Sequence, residues 1–288
     1  MDFNDTPEEA AYRAKAREWL EANAPKKRVG SADDLEGGGS SMAASKAWQA
    51  KKAAAGYAQI TWPKEWGGAG GTPIQQVIFN SEEAKYPVPP NPFAIGLGMC
   101  VPTVMAFADE ATKQRFVGPA LRGEEIWCQL FSEPSGGSDV AAARTKAVRA
   151  DDGSGDWIIS GQKVWTTGAQ FSNFGIVVTR TDPDAPKHKG ISTFVVPMDT
   201  PGITVRPLIN IAGQHGFNEV FFDNVRIPKD NLVGELNRGW YQVAVALDFE
   251  RSGIQAYAGG RRTLEELVGF AKEHRTLWED NPSVRLAL

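Results

Sequence analysis

The stretch from Trp127 to Val233 limits what this chain can fold into more than any other part of it. It is a series of short runs rich in Val, Ile, Thr, Phe and Trp, separated by turn clusters. "TKAVRA", "DDGSGD" and "WIIS" read as strand, turn and strand. "GQKVWTT", "FGIVVTR", "GISTFVVP", "GITVRP" and "EVFFDNVRIP" continue the pattern. Several short strands at near-regular spacing predict a barrel or sandwich. No βαβ alternation appears, which excludes a Rossmann domain.

Helical periodicity flanks this region on both sides. In "TPEEAAYRAKAREWLEANAP", Thr6 is an N-cap, Pro7 sits at the first helical position and Glu9 completes a capping box. Tyr12, Ala16, Trp19 and Leu20 share one face. Gly37 to Ser41 read as a loop, and Met42–Ala58 as helix. "WPKEWGGAGG" (Trp62 to Gly71) is turn-rich, with further helices expected at Ile74–Ala84, Val101–Phe107 and Glu110–Val117. After Arg238, the positions Trp240, Val243, Leu247, Glu250, Ile254, Tyr257, Arg261, Leu264 and Val268 fall at alternating three–four spacing. That spacing predicts one face of a single long helix. The expected architecture is α+β: a helical region over 1–126, a strand region over 127–235 and a second helical region over 236–288.

Composition narrows the function. The 288 residues are 42% hydrophobic and 23% charged, which are globular proportions. The net charge of −4 and the lack of a basic block argue against a nucleic-acid partner. Cys100 and Cys128 are far apart among apolar residues and predict buried thiols. His188, His215 and His274 show no metal-ligand spacing, so no metal is expected. The N-terminus lacks the basic and apolar regions of a secretory signal, and no apolar run is long enough to span a membrane. A cytoplasmic protein is expected.

Three places carry chemistry. Glu250 has apolar neighbours on this stripe, which also carries Arg261 farther along, and the positions three and four residues away are Ala246, Leu247, Gly253 and Ile254, none of them cationic. Two accounts are open: a long-range salt bridge, or a desolvated carboxylate whose raised pKa suits a general base. Asp248 and Arg251 form an i, i+3 pair. "LFSEPSGGSDV" (Leu130 to Val140) combines the hydroxyls of Ser132 and Ser138 with Gly136 and Gly137, whose successive N–H groups can cradle an anion. The same loop is also accounted for by serines satisfying its own backbone. "WTTGAQ" (Trp165 to Gln170) offers an indole plane beside two hydroxyls, either for a flat ring system or as an ordinary core tryptophan.

Taken together, "WPKEWGGAGG", "LFSEPSGGSDV", "ISGQKVWTTGA" and the run from "VRIPKDNLVGELNRGW" into "LDFERSG" resemble the acyl-CoA dehydrogenase family, in the family's order. The resemblance implies an N-terminal helical domain, a middle β-barrel and the start of a C-terminal helical bundle. It implies FAD bound between barrel and bundle, usually in a homo- or hetero-tetramer. Gln129, Leu130, Phe131, Ser132, Gly137 and Ser138 match the first flavin-binding run, with the Ser132 hydroxyl reaching the ring and Ser138 near both phosphate and substrate. Trp165, Thr166 and Thr167 match the second run. Asp248, Phe249, Glu250 and Arg251 match a substrate-lining helix segment. Arg275 is a candidate phosphate contact, although the phenylalanine-glycine that usually follows is replaced in "HRTLWED". "DFERSG" is similar to the arrangement in isovaleryl-CoA dehydrogenase, where the catalytic glutamate precedes an arginine on this helix.

The implied reaction is α,β-dehydrogenation of an acyl-CoA thioester, with Glu250 as the α-proton base and electrons leaving to an electron-transfer flavoprotein, as in fatty-acid β-oxidation. The family's remaining C-terminal helices have no counterpart here, so the chain by itself is expected to bind FAD poorly. Two alternatives stand beside this reading: a non-catalytic acyl-CoA- and FAD-binding subunit of a heteromeric dehydrogenase, and a flavin oxidase or monooxygenase on the same scaffold.

Overall fold

A computed structural model describes residues 5–27, 35, 40–250, 254–275 and 283; the side chains of residues 249–250, 254–259 and 261–262 lie outside the described set. Local chemistry sets the helix starts. Helix α1 (Pro7–Asn23) begins with the expected capping box: the Glu9 N–H donates to the Thr6 hydroxyl at 3.3 Å and the Thr6 N–H to the Glu9 carboxylate at 2.7 Å. Helix α2 covers Ser40–Ala54, and α3 (Pro73–Glu83) repeats the box with Thr72 and Gln75. A π-helical turn, Gly96–Cys100, runs directly into α4 (Val101–Phe107). Helix α5 (Glu110–Leu121) is capped by the Asp109 carboxylate, which accepts from the Thr112 N–H at 2.7 Å.

The middle of the chain is sheet, as its composition requires. The strands are β1 (Trp127–Leu130), β2 (Lys146–Arg149), β3 (Trp157–Lys163), β4 (Phe174–Arg180), β5 (Ile191–Pro197), β6 (Ile203–Ile209), β7 (His215–Ile227) and β8 (Leu232–Val233). They pair in the order β6-β7-β3-β2-β4-β5-β8, with β1 added in parallel to β4. Among the described residues no ladder joins β6 to β8, so the hydrogen-bonded path is open-ended. One edge of β4 is shared: β1 takes Phe174–Val177, and β2 meets it only at Arg180.

Alternation sorts the sheet's two faces. Cys128, Leu130, Trp157, Ile159, Val177, Phe194, Val196, Val220 and Phe222 pack into one cluster. Their neighbours Trp127, Ile176, Val178 and Val195 point the other way, into a second cluster with Phe93, Val101, Val104, Ile126, Val243 and Ala246. That second core draws on residues from both sides of position 126 and from beyond 235. Gly161 interrupts the inward face of β3 at a bulge, and a Cβ there would lie 2.7 Å from the Thr145 Cα.

The apolar stripe from Trp240 to Val268 is helical on both described sides, in α6 (Gly239–Glu250) and α7 (Ile254–Glu273), and residues 251–253 between them lie outside the described residues. Val243 and Ala246 of α6 are buried, whereas Leu264 and Val268 of α7 are exposed.

The chain forms two compact units. The smaller comprises Met1–Arg28, Gly71–Val88 and Gly253–Leu288. In it, α3 packs against α1 and α7, and the buried Glu82 carboxylate receives Arg13, Arg17 and Lys85 at 2.8–3.0 Å. The larger comprises Val29–Gly70 and Pro89–Ser252. In it, α6 lies against the π-helical turn, α4 and β5.

Candidate functional site

Strand β1 delivers the chain into the Ser132 loop. The loop is closed on itself by reciprocal backbone bonds between Glu133 and Gly136, at 3.0 and 2.9 Å. The Glu133 side chain turns inward, where its two oxygens accept the N–H groups of Arg144 (2.7 Å) and Thr145 (2.9 Å). Its third partner is the Lys163 ammonium, 2.8 Å away, at the inward-facing end of β3. Lys163 is 0% exposed and also donates to the Phe131 carbonyl at 3.0 Å. Burial works to raise the Glu133 carboxyl, but the Lys163 charge, its hydrogen bond and the two N–H donors outweigh it and hold the carboxyl below its ordinary range. Burial pulls the Lys163 ammonium down to about 8, opposed by Glu133.

The second run follows immediately. The Val164 N–H donates to the Ser132 carbonyl at 3.0 Å, so the two runs are joined backbone to backbone. Trp165 then adopts φ +60°, a left-handed conformation that a bulky side chain rarely takes, and its ring is 60% exposed beside Phe217. Strain of this kind gathers at functional sites. Thr166 turns inward: its N–H donates to the Asn218 carbonyl, its carbonyl accepts from Asn218 Nδ2, and its buried hydroxyl has no partner among the described residues. Thr167 turns outward again. Asn218 is fully buried and also bonds Gln170 (2.6 Å) and His215 Nε2 (2.7 Å). Because Asn218 uses its NH2 for Thr166 and Gln170, its carbonyl oxygen faces His215, which must donate from Nε2.

A cleft of about 830 Å³ opens beside Thr167. Asn91, Ile95, Gln170, Phe171, Gln214 and His215 are among its lining residues. A mostly apolar cavity with a few polar groups is the usual form of a small-molecule site.

Sequence-selected residues are distributed unevenly around this junction. Ser132 is half-buried, Gly137 and Ser138 are exposed, and Trp165 and Thr167 face outward. Gln129 is half-buried in the β1–β4 ladder. The side chains of Leu130 and Phe131 are buried in the two cores, which leaves only their backbone for a ligand. Thr166, selected for its hydroxyl, presents that hydroxyl to the interior. Asp248 is exposed on α6. The side chains of Phe249 and Glu250, and all of Arg251, lie outside the described residues. Arg275 is exposed and belongs to the smaller unit.

The junction fits a flat, polar-edged ring carrying an anionic tail. The Ser132 hydroxyl lies 3.4 Å from where a Cβ on Gly137 would stand, so glycine keeps the approach to that hydroxyl clear. The N–H groups of Gly137 and Ser138 have no acceptor among the described residues. An exposed indole and an exposed hydroxyl follow at Trp165 and Thr167. Such groups match the plane, polar edge and phosphates of a flavin dinucleotide.

Residue-type reasoning overlooked Glu133, Lys163 and Asn218. A signal existed for Lys163: Trp157, Ile159, Gly161 and Lys163 share parity on β3, which puts a lysine on the buried face. A buried lysine requires a carboxylate, and Glu133 is the acid of the loop next to it.

Residues 6–124 match the model for the acyl-CoA dehydrogenase N-terminal domain, and residues 128–225 that for the middle domain. Acyl-CoA dehydrogenase FadE34 of Mycobacterium tuberculosis is 45% identical over 72% of the chain, a match that spans 28% of FadE34. Acyl-CoA dehydrogenase IpdE1 of the same organism is 37% identical over 95% of the chain and 71% of its own length. The solved structure called "Tcur3481-Tcur3483 steroid ACAD" superposes with a TM-score of 0.80 at 30% identity, over 99% of this chain and 72% of that one. With both domain models matched in order and 95% of the chain aligned to IpdE1 at 37% identity, the chain belongs to the acyl-CoA dehydrogenase family.

Proposed function

We propose that the chain acts in the FAD-dependent α,β-dehydrogenation of an acyl-CoA thioester to the trans-2-enoyl-CoA. The observation that carries this reading is the junction of the two runs. The Val164–Ser132 backbone bond and the Lys163–Glu133 pair tie together the two runs that carry Ser132, Gly137, Trp165 and Thr167. Members of this family are flavoproteins, and these residues are the ones that would hold the cofactor. When bound, FAD supplies the hydride acceptor for the substrate β carbon.

The protein's own part is binding, orientation and proton transfer. Ser132 and Thr167 would bond the polar edge of the ring, and Trp165 would cover its plane. The open N–H groups of Gly137 and Ser138 would receive a phosphate. Glu250 would take the α proton as general base. Its helix, α6, packs on the π-helical turn and β5. Asp248, Phe249 and Arg251 would line the substrate, and an electron-transfer flavoprotein would accept the electrons. The cleft beside Thr167 has room for an acyl group bulkier than a straight chain, and the steroid named for the structural neighbour supports that substrate class.

Glu250→Gln tests the assignment. The FAD-loaded chain is titrated anaerobically with acyl-CoAs while flavin absorbance is followed. The parent is expected to bleach, and E250Q to keep its flavin without bleaching; bleaching at the parent rate in E250Q contradicts the role of Glu250. A second reading, a subunit of a two-component dehydrogenase, is supported by the paired name of that same neighbour. It predicts that bleaching requires a partner chain and still depends on Glu250 only if the base lies on this chain.

A further inference from the structure

We propose that the buried Lys163–Glu133 pair is a positioning pair, which holds the Ser132 loop and the Trp165–Thr167 turn in the one relative placement that lets both face the same flavin. The proposal rests on the flavin reading above and assigns a role to two residues that do not themselves face the ligand surface.

The first argument is energetic. A fully buried ion pair is a poor way to stabilise a fold, since well-packed apolar residues of similar volume often serve as well or better. Lys163 is 0% and Glu133 6% exposed, and Lys163 shares the buried face of β3 with Trp157 and Ile159. Fixing one geometry among several is the best-attested use of such a pair.

The second argument is where the bonds land. The Lys163 ammonium reaches the Phe131 carbonyl and the Glu133 carboxylate, the two residues on either side of Ser132. The Glu133 carboxylate in turn receives the N–H groups of Arg144 and Thr145, where the loop returns to the sheet. The loop is therefore pinned at both ends of its base. Arg180 adds a further tie, donating to the carbonyls of Ala141 and Ala143. Gly137 and Ser138, between the pins, keep their N–H groups open. On the other side, Lys163 is separated from Trp165 only by Val164, whose N–H holds the Ser132 carbonyl. One cation thus sets the loop, and the strand that carries it sets the turn.

The test uses Lys163→Met, Glu133→Leu and the double variant. Each single substitution leaves an unpaired buried charge and is expected to lower Tm. The double variant is expected to recover most of that loss. The deciding readouts are the FAD dissociation constant and the hydrogen-exchange rate of the Val164 amide. Val164 and Ser132 keep their own bond partners in every variant, so this amide reports placement rather than a deleted group. At recovered Tm, the double variant is expected to bind FAD at least tenfold more weakly and to exchange Val164 at least tenfold faster. A double variant that matches the parent in both readouts overturns the proposal.

If the double variant does not fold, Glu133→Gln decides. It keeps the size of the side chain and is expected to move both readouts in the same direction, by threefold or more; no movement overturns the proposal. A parent chain that takes up no FAD counts against the flavin reading alone, and Val164 exchange then decides the positioning role.

Discussion

Thr166→Val separates the two threonines that the sequence presents as equivalent. Thr166 is 1% exposed, its backbone N–H and C=O are both bonded to Asn218, and its buried hydroxyl has no partner among the described residues. Valine has the same shape and keeps both backbone bonds. A buried polar group without a partner costs about 1–3 kcal/mol, so its removal is expected to stabilise by about 1–2 kcal/mol. For a unit of this size that raises Tm by about 2–8 °C. Thr167→Val changes an outward-facing hydroxyl and should shift stability by less than about 0.5 kcal/mol. Thermal melts by circular dichroism give the stabilities, and titration with FAD gives the affinities. T166V is expected to be more stable with unchanged FAD affinity. T167V is expected to keep its Tm and bind FAD more weakly. The reasoning fails if T166V loses stability or FAD affinity while T167V changes neither.

Other outcomes follow from the same structure. Glu133 and Glu82 are both held below the ordinary carboxylate range in the folded state, Glu82 at about 2, where burial is outweighed by Arg17, Lys85 and Arg13. Their contribution is complete above the unfolded value of about 4.5 and is lost as pH falls through the folded values. Tm should therefore drop steadily from pH 5 to pH 2, and a flat profile between pH 5 and 3 would exclude it. Trp165→Gly relieves the positive φ by about 1 kcal/mol yet removes the exposed ring, so Tm should hold or rise while FAD affinity falls. Asn218→Leu leaves the Thr166 carbonyl, Gln170 and His215 without their shared partner inside the fold. A loss of about 3 kcal/mol, or roughly 6–12 °C in Tm, is expected in a thermal melt.

Much of this arrangement is legible without coordinates, and the exceptions have physical causes. The strand region is marked by β-branched and aromatic composition, and β2 and β3 pair across the predicted Asp151–Asp156 turn. The Thr6 capping box is a local interaction, so it appears as drawn. The stripe from Trp240 to Val268 misleads in part because periodicity records which side is apolar and does not sense that α6 belongs to the larger unit and α7 to the smaller. It also does not say what covers that side: Val243 is buried and Leu264 is exposed. The Ser132 loop and the Trp165 turn are each visible as motifs, but their union depends on Lys163 and Glu133, which lie thirty residues apart and meet only when β3 packs beside β1's exit. Pairings of that range are set by topology, and residue type alone does not reveal them.

The central claim is that the Ser132 loop and the Trp165–Thr167 turn form one flavin-holding surface. The visible absorption of the chain titrated with FAD tests it most directly, compared among the parent, Ser132→Ala and Thr167→Val. The account predicts weak binding that saturates at one FAD per chain under excess FAD, with an oxidised-flavin spectrum shifted from that of free FAD and affinity at least tenfold weaker still in each variant at unchanged Tm. Equal affinity in all three proteins would contradict it, because the flavin would then be held somewhere other than this junction.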